Sequence, residues 1–330
     1  MPKVLILHTG GTLGMTGEPL RPDAFATALT EAVPEITGLA ELETRIVFNL
    51  DSSDIGPQHW SRLATEIDDA RHDFDGFVIV HGTDTMAYTA SALSYALLNL
   101  NKPVILTGAQ RPLAALRTDA RRNLVDAVEL ATLPIDGVGI CFDGLLLRGP
   151  RTTKSNAQDY RAFDSPGTAP IARLGVDISI EEAGRREGGS YLFRPRFDPS
   201  VLVVHVAPGM SAEIISELWK GNTSLRALVL AAYGLGTVPT EGQFDVAQMV
   251  QRAVGEGIDV LVVTQSAGHI NLNQYENSRA LKRAGAIAGG GMTLEAAVTK
   301  MMHGLANFSD RKDRRAYLSS DLVGERGGQV

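Results

Sequence analysis

Short apolar runs alternate with longer stretches in which apolar residues return every three or four positions. The runs at 4–7, 44–49, 76–80, 104–107 and 138–142 have strand character. The stretches at 22–33, 58–70, 87–98 and 119–131 have helical period; Trp60, Leu63, Ala64 and Ile67 share one face of the second. A hairpin is expected over 144–151. The alternation lapses over 155–199, where Pro, Gly, Arg and Glu are mixed. It then resumes, with strands expected at 201–206, 227–232, 260–264 and 286–288. Helices are expected at 212–219, 246–255, 281–284 and 294–305. Regular alternation of this kind predicts parallel sheets covered by helices. The expected architecture is two α/β domains, a larger N-terminal parallel-sheet domain and a smaller C-terminal one. The expected boundaries are 1–184 and 200–330, with 185–199 as linker.

Composition narrows the functional classes. The chain has 330 residues, 44% of them hydrophobic, which is enough for substantial cores. The formal net charge of −7 argues against a nucleic-acid surface, which needs a basic stripe. The single cysteine, Cys141, allows no internal disulfide and reads as a buried strand thiol, which fits a reducing, cytoplasmic compartment. The first strand follows Met1 almost at once, so no signal peptide is expected. No apolar stretch approaches membrane-spanning length, so no membrane partner is expected. The histidines at 8, 59, 72, 81, 205, 269 and 303 lack metal-ligand spacing. No metal and no cofactor are expected. The mixed-sign run 310–315 reads as a solvated helix face.

Chemistry concentrates where two strands stop. The run Phe77-Val78-Ile79-Val80 breaks into His81-Gly82-Thr83-Asp84-Thr85-Met86, and a helical pattern follows directly. In open α/β sheets, ligands sit at the carboxyl ends of strands, beside the free N–H groups of helix starts. Taken alone, Thr83, Asp84 or Thr85 could be a simple helix cap. The same design, however, follows the first strand, in His8-Thr9-Gly10-Gly11-Thr12-Leu13-Gly14. Paired glycines permit a tight turn and close approach. Neither a phosphate loop nor a dinucleotide fingerprint is present, so this loop offers a hydroxyl.

These stretches resemble the signatures of the bacterial-type L-asparaginase family, closest to its cytoplasmic type I branch. Thr9-Gly10-Gly11-Thr12 and His81-Gly82-Thr83-Asp84-Thr85-Met86 match the first two, Asp51-Ser52-Ser53-Asp54 the substrate loop, and Arg151-Thr152-Thr153-Lys154 the segment carrying the family's lysine. Similarity continues through 103–108, 233–236 and 292–296. The resemblance implies a flavodoxin-like N-terminal domain, a Rossmann-like C-terminal domain and hydrolysis of L-asparagine to L-aspartate and ammonia. It implies Thr12 as nucleophile and Thr83, Asp84 and Lys154 as its catalytic partners. It puts the substrate on Gly11, Asp51, Ser52, Ser53, Thr83 and Asp84, with its α-carboxylate on Ser52 and its α-amino group near Asp84 and Ser53. Backbone N–H groups around Gly11 and Thr83 are candidate oxyanion donors. A homodimer or homotetramer is implied too, with Tyr275-Glu276 in a region able to reach a neighbour.

Two departures qualify this. The family's mobile loop carries a tyrosine that helps activate the first threonine. Here residues 14–22 contain none; Leu20 is the nearest match, Glu18 is nearby, and the next tyrosine is Tyr88. Ser266 and Ala231 stand where some type I members have a cysteine and an arginine for an allosteric site, so none is expected. The alternative reading is a weakly active or repurposed homologue, either a glutaminase-type amidohydrolase or an amidotransferase-associated subunit. The latter carries an extra N-terminal domain, which the early first strand argues against.

Overall fold

The computed structural model describes residues 1–16, 21–22, 29–181, 189–219 and 224–327. The chain divides into two compact units, Met1–Pro195 and Arg196–Val330. The first is built on an eight-stranded sheet. Its strands are β1 (Lys3–Gly10), β2 (Glu41–Leu50), β3 (Gly76–Val80), β4 (Pro103–Thr107), β5 (Gly137–Phe142), β6 (Leu145–Arg148), β7 (Ala172–Leu174) and β8 (Ile178–Ile180). Their order is β8-β7-β6-β5-β4-β3-β1-β2. Strands β1 to β5 are parallel, in the flavodoxin-like order 2-1-3-4-5. Strands β6 to β8 continue the sheet antiparallel.

Strands β3 and β4 are buried along their whole length, which is why their sequences are unbroken apolar runs. Among the described residues, helices α1 (Leu29–Ala32), α2 (Pro57–Ala70), α3 (Met86–Ala96) and α4 (Ala120–Ala131) accompany them. Helix α4 lies on β3, β4 and β5, burying Leu124, Ala127 and Val128 with Val78, Val80 and Ile105. Helix α3 is buried on nearly every side, so it is rich in small residues and has little apolar periodicity.

The structure revises several expected elements. Strand β2 is longer than the expected 44–49. The expected helix at 22–33 includes residues 23–28, which lie outside the described residues; helix is seen at Leu29–Ala32. The helix expected at 87–98 ends at Ala96, because Leu97–Leu98 pairs with Leu192–Phe193 and Asn99 takes a left-handed φ of 60°. Residues 155–181, expected within the N-terminal domain but without regular elements, carry strands: β7 and β8 extend the sheet's edge, and Thr153–Lys154 pairs with Phe163–Asp164. Tyr191 bonds Asp68 through its hydroxyl, tying the end of this unit to α2.

The second unit has a four-stranded parallel sheet in sequential order, β9 (Val201–His205), β10 (Ala227–Ala232), β11 (Asp259–Thr264) and β12 (Ile287–Ala288). Helices α5 (Ala212–Glu217), α6 (Val246–Gly255) and α7 (Glu276–Arg283) pack on one another in series, and α8 (Leu294–Asn307) lies across β9, β10 and β11. Ser211, Asp245 and Thr293 cap α5, α6 and α8 through side-chain oxygens.

Helix α9 (Arg311–Ser319) carries the charged run expected to be a solvated face. That expectation is corrected. The fully buried carboxylate of Asp259, at the start of β11, accepts from Arg311 Nε at 3.1 Å, Arg314 Nε at 2.7 Å and Arg315 at 3.3 Å. Arg314 is itself buried. A carboxylate with no water must be surrounded by donors, and this run supplies them. Removing it strands a buried guanidinium, which typically costs about 3–5 kcal/mol. Asp259→Ala is therefore expected to lower stability by about 3 kcal/mol in chemical denaturation, whereas Arg311→Ala, removing a half-exposed partner, costs under about 1 kcal/mol. Equal losses would refute this account.

Candidate active site

Strands β1 and β3 are hydrogen-bonded neighbours, in register from Val4 with Gly76 to His8 with Val80. Their carboxyl ends flank the point where the strand order reverses, the place where doubly wound sheets bind ligands. The loops leaving them meet through backbone alone. Gly11 has φ of +89°, and a Cβ there would lie 2.4 Å from the Gly82 nitrogen. A Cβ on Gly82 would lie 2.7 Å from both Cβ and Oγ of Ser52, in the loop after β2. Three loops are thus packed against each other with no room for a side chain at either glycine. Thr12 and Thr83 follow directly from the touching residues.

The Ser52 loop is fixed further. Asp51 accepts from Ser53 N at 2.9 Å and Ser53 Oγ at 2.8 Å, and these bonds, the backbone one first, hold its carboxyl below the usual range. Ser52 is buried, and its carbonyl accepts from Thr85 Oγ1 at 2.6 Å. Thr85 occupies the cap position of α3, yet makes no side-chain cap bond. The simple capping reading of this stretch therefore does not describe its hydroxyls.

Lys154 brings the remaining predicted residues together. Its Nζ donates to Thr83 Oγ1 at 2.8 Å and to Asp84 Oδ1 at 2.6 Å. The lysine side chain is 16% exposed and that of Asp84 67%, so the carboxylate lies open to solvent while the amine does not. The short pairing of Thr153–Lys154 with Phe163–Asp164 holds the lysine backbone. Buried Arg151, which donates to Thr168 Oγ1 at 2.9 Å and the Pro166 carbonyl at 2.9 Å, anchors the turn before it.

Several contributors are given no role by the sequence. Gln110 Oε1 stands 3.4 Å from Thr83 Oγ1, and Asp119 fixes the Gln110 N–H at 2.9 Å. The family similarity through 103–108 stops two residues short of it. His81 is fully buried and bridges Gly82 O at 2.7 Å and Thr89 Oγ1 at 2.9 Å. Trp60 Nε1 donates to the same Thr89 hydroxyl at 3.1 Å. Burial pushes the His81 imidazole down to about 4, partly offset by its bond to Gly82. Glu18 and Leu20, on the loop without tyrosine, lie outside the described residues. Among the described residues, no group of three or more His, Cys, Asp or Glu could hold a metal, and no helix is long and apolar enough to cross a membrane. Cys141 is buried in β5, and desolvation pushes its thiol up.

The arrangement offers two threonine hydroxyl groups from adjoining loops, an amine on one of them, and free carboxylate surface nearby. These are the parts of nucleophilic acyl transfer. Comparisons with known proteins point the same way. The asparaginase N-terminal domain profile matches residues 3–185, and the glutaminase/asparaginase C-terminal domain profile matches residues 200–318. The chain is 41% identical to L-asparaginase 1 of Escherichia coli K12, covering 98% of this chain and 97% of that one. It is 35% identical to a glutamyl-tRNA(Gln) amidotransferase subunit of Pyrococcus furiosus, over 98% of this chain and 77% of that protein. The solved structure of the thermostable L-asparaginase from Thermococcus kodakarensis superposes with a TM-score of 0.89 at 33% identity, covering 99% of this chain and 100% of that one.

Two stability experiments test the geometry. Gly11→Ala adds a Cβ 2.4 Å from the Gly82 backbone at a positive φ, so stability is expected to fall by at least about 2 kcal/mol. Gly38→Ala, with nothing near its Cβ, is the control and is expected to change little. Equal effects would show that the loops do not touch through glycine. His81 titrates near 6.5 when unfolded and about 4 when folded. The unfolded chain therefore binds the extra proton first, and stability drains away as pH falls from 6.5 toward 4. The full loss is about 3 kcal/mol. His81→Asn is expected to flatten that part of the pH–stability curve; an unchanged slope would mean the imidazole is not buried neutral.

Proposed function

The chain belongs to the asparaginase family, and on that premise we propose that it hydrolyses L-asparagine to L-aspartate and ammonia. The observation that carries the proposal is the Lys154 amine, 2.8 Å from Thr83 Oγ1 and 2.6 Å from Asp84, beside loops joined at Gly11 and Gly82. In this reading Thr12 Oγ attacks the side-chain amide carbon of asparagine. The tetrahedral oxyanion is held by backbone N–H groups near Gly11 and Thr83, each worth roughly 3–4 kcal/mol to the transition state. The amide nitrogen leaves as ammonia once protonated, and an aspartyl ester of Thr12 remains. Water then attacks the ester, releases aspartate and returns the proton to Thr12. Thr83, Lys154 and Asp84 form the group that orients the reacting water and moves its proton.

Substrate recognition follows from charge. Asp84, with Ser53 beside it, complements the α-ammonium group, and Ser52 takes the α-carboxylate. Ser53 Oγ is committed to Asp51 at 2.8 Å, so Asp51 sets its orientation. The proposal includes a homodimer or homotetramer in a reducing, cytoplasmic setting, on the same family resemblance. No cofactor takes part. The similarity to an amidotransferase subunit keeps a second outcome in view, a protein with little free asparaginase activity.

Ammonia release by the pure protein decides between these. Asparagine turnover well above glutamine turnover is expected. Faster glutamine turnover would make it a glutaminase, and release from neither would end the hydrolase reading. Thr12→Ala and Thr83→Ala are each expected to lower kcat by about a hundredfold or more. Near-normal turnover in Thr12→Ala would remove it as nucleophile, and an unaffected Lys154→Met would take the lysine out of the mechanism.

A further inference from the structure

A directional chain of hydrogen bonds runs from two helices into the site and ends at the peptide bearing Thr83. Its first member can only donate: Trp60 Nε1–H, on α2, reaches Thr89 Oγ1 on α3 at 3.1 Å. The Thr89 hydroxyl lies 2.9 Å from His81 Nε2. His81 Nδ1 lies 2.7 Å from the carbonyl oxygen of Gly82. A carbonyl only accepts, so the proton of a neutral imidazole must sit on Nδ1; otherwise two lone pairs would face each other at that distance. Nε2 is then an acceptor, and the Thr89 hydroxyl donates to it while accepting from Trp60. Every polar atom in the relay has a partner, and all of its links point the same way. Tryptophan, threonine and histidine could be replaced here by apolar residues of similar volume, since the surroundings are core. The wiring therefore needs a reason beyond packing.

That reason lies at its far end. The Gly82 carbonyl belongs to the same peptide group as the Thr83 N–H. A donor on the oxygen draws electron density through the amide and makes the N–H more acidic. It also fixes the peptide plane, which a glycine would otherwise leave free to rotate. The backbone of His81 is itself held, its N–H donating to Thr107 O at 2.8 Å. We propose that His81 is a positioning residue for amide hydrolysis: its Nδ1–H orients and polarises the Gly82–Thr83 peptide so that the Thr83 N–H stabilises the oxyanion. The proposal rests on the hydrolase reading above. It adds that the Trp60–Thr89–His81 relay acts through a backbone donor rather than through the threonine hydroxyl. The imidazole neither touches substrate nor exchanges a proton during turnover, consistent with its depressed basicity.

The test compares three substitutions that differ in where they put an N–H. Asparagine places its amide N–H near the position of Nδ1, glutamine near that of Nε2, and leucine has none. His81→Leu and His81→Gln are expected to lower kcat by about tenfold or more with KM within threefold, since the lost interaction strengthens only in the transition state. His81→Asn is expected to recover kcat to within about threefold of the native enzyme. Thr89→Val, which leaves Nε2 without its donor, is expected to fall between. A folded His81→Leu variant with kcat within twofold of native, or equal losses in the Asn and Gln variants, overturns the proposal. Nitrogen NMR of the histidine-labelled native protein gives a reading that needs neither activity nor a stable variant. The expected result is a neutral His81 ring protonated at Nδ1 throughout the working pH range. A proton on Nε2 overturns the assignment. A native protein that hydrolyses neither amide would sink the parent reading instead, and the two failures are told apart by which measurement fails.

Discussion

The site depends on a contact made without side chains. The Gly11 and Gly82 backbones lie so close that a methyl group on Gly11 would penetrate the Gly82 backbone, while one on Gly82 would run into Ser52. This constraint fixes the separation of the loops after β1 and β3, and through Ser52 that of the loop after β2. Hydrogen bonds alone would leave some play, because side chains hop between rotamers. Two touching backbones, each continuing a strand of the same parallel sheet, leave almost none. Reacting groups placed on such loops inherit the stiffness of the sheet, and misplacement by about 1 Å can cost a hundredfold in rate. The glycines thus act as spacers whose size is zero.

Around this contact, polar groups are arranged in two layers. The inner layer is half open: Asp84 faces solvent, Lys154 spans from it to Thr83, and Gln110 completes the set. The outer layer is closed and includes Trp60, Thr89, His81 and Asn123. Water can compensate for imperfect geometry in the first, but not in the second, where an unmade hydrogen bond costs the full desolvation of the group. The outer layer is therefore the more exacting part of the structure. Burial keeps His81 neutral, so its direction of donation does not change with ordinary shifts in pH.

The fold is largely legible in the sequence because both sheets are parallel at their centres. Strands buried on both faces have to be unbroken apolar runs, and the helices between them have to be amphipathic or small-residue stripes. What is not legible depends on pairing at a distance. Nothing local marks strands within residues 155–181, since β7 and β8 are three residues each, β7 defined by pairing with β6 and β8 by pairing with β7. The charged run at 310–315 looks solvated because its partner, Asp259, lies about fifty positions earlier in the chain. In the site, residues within strand-end loops can be picked out by type, since hydroxyl groups, a carboxylate and glycines stand out after an apolar run. Gln110, Thr89 and Trp60 cannot, because each lies on a different element and looks ordinary where it stands.

The loop that lacks tyrosine sharpens the division of labour. In the proposed mechanism Thr12 must lose its proton to something, and the tyrosine that the family resemblance implies is missing from residues 14–22. The groups that remain fixed by the sheet are those around Thr83. A hydroxyl held at 2.8 Å by Lys154 and backed by Gln110 is constrained whether or not anything closes over it. A loop that closes over a site contributes mainly by excluding water and bringing one further group. Chemistry that leans on the sheet-held half of the site can survive change in such a loop with a lower rate rather than none. On the proposed mechanism, a threonine pair divided between two strand ends makes the second hydroxyl, with its lysine, the more robust member, and the first the one whose activation depends on the loop.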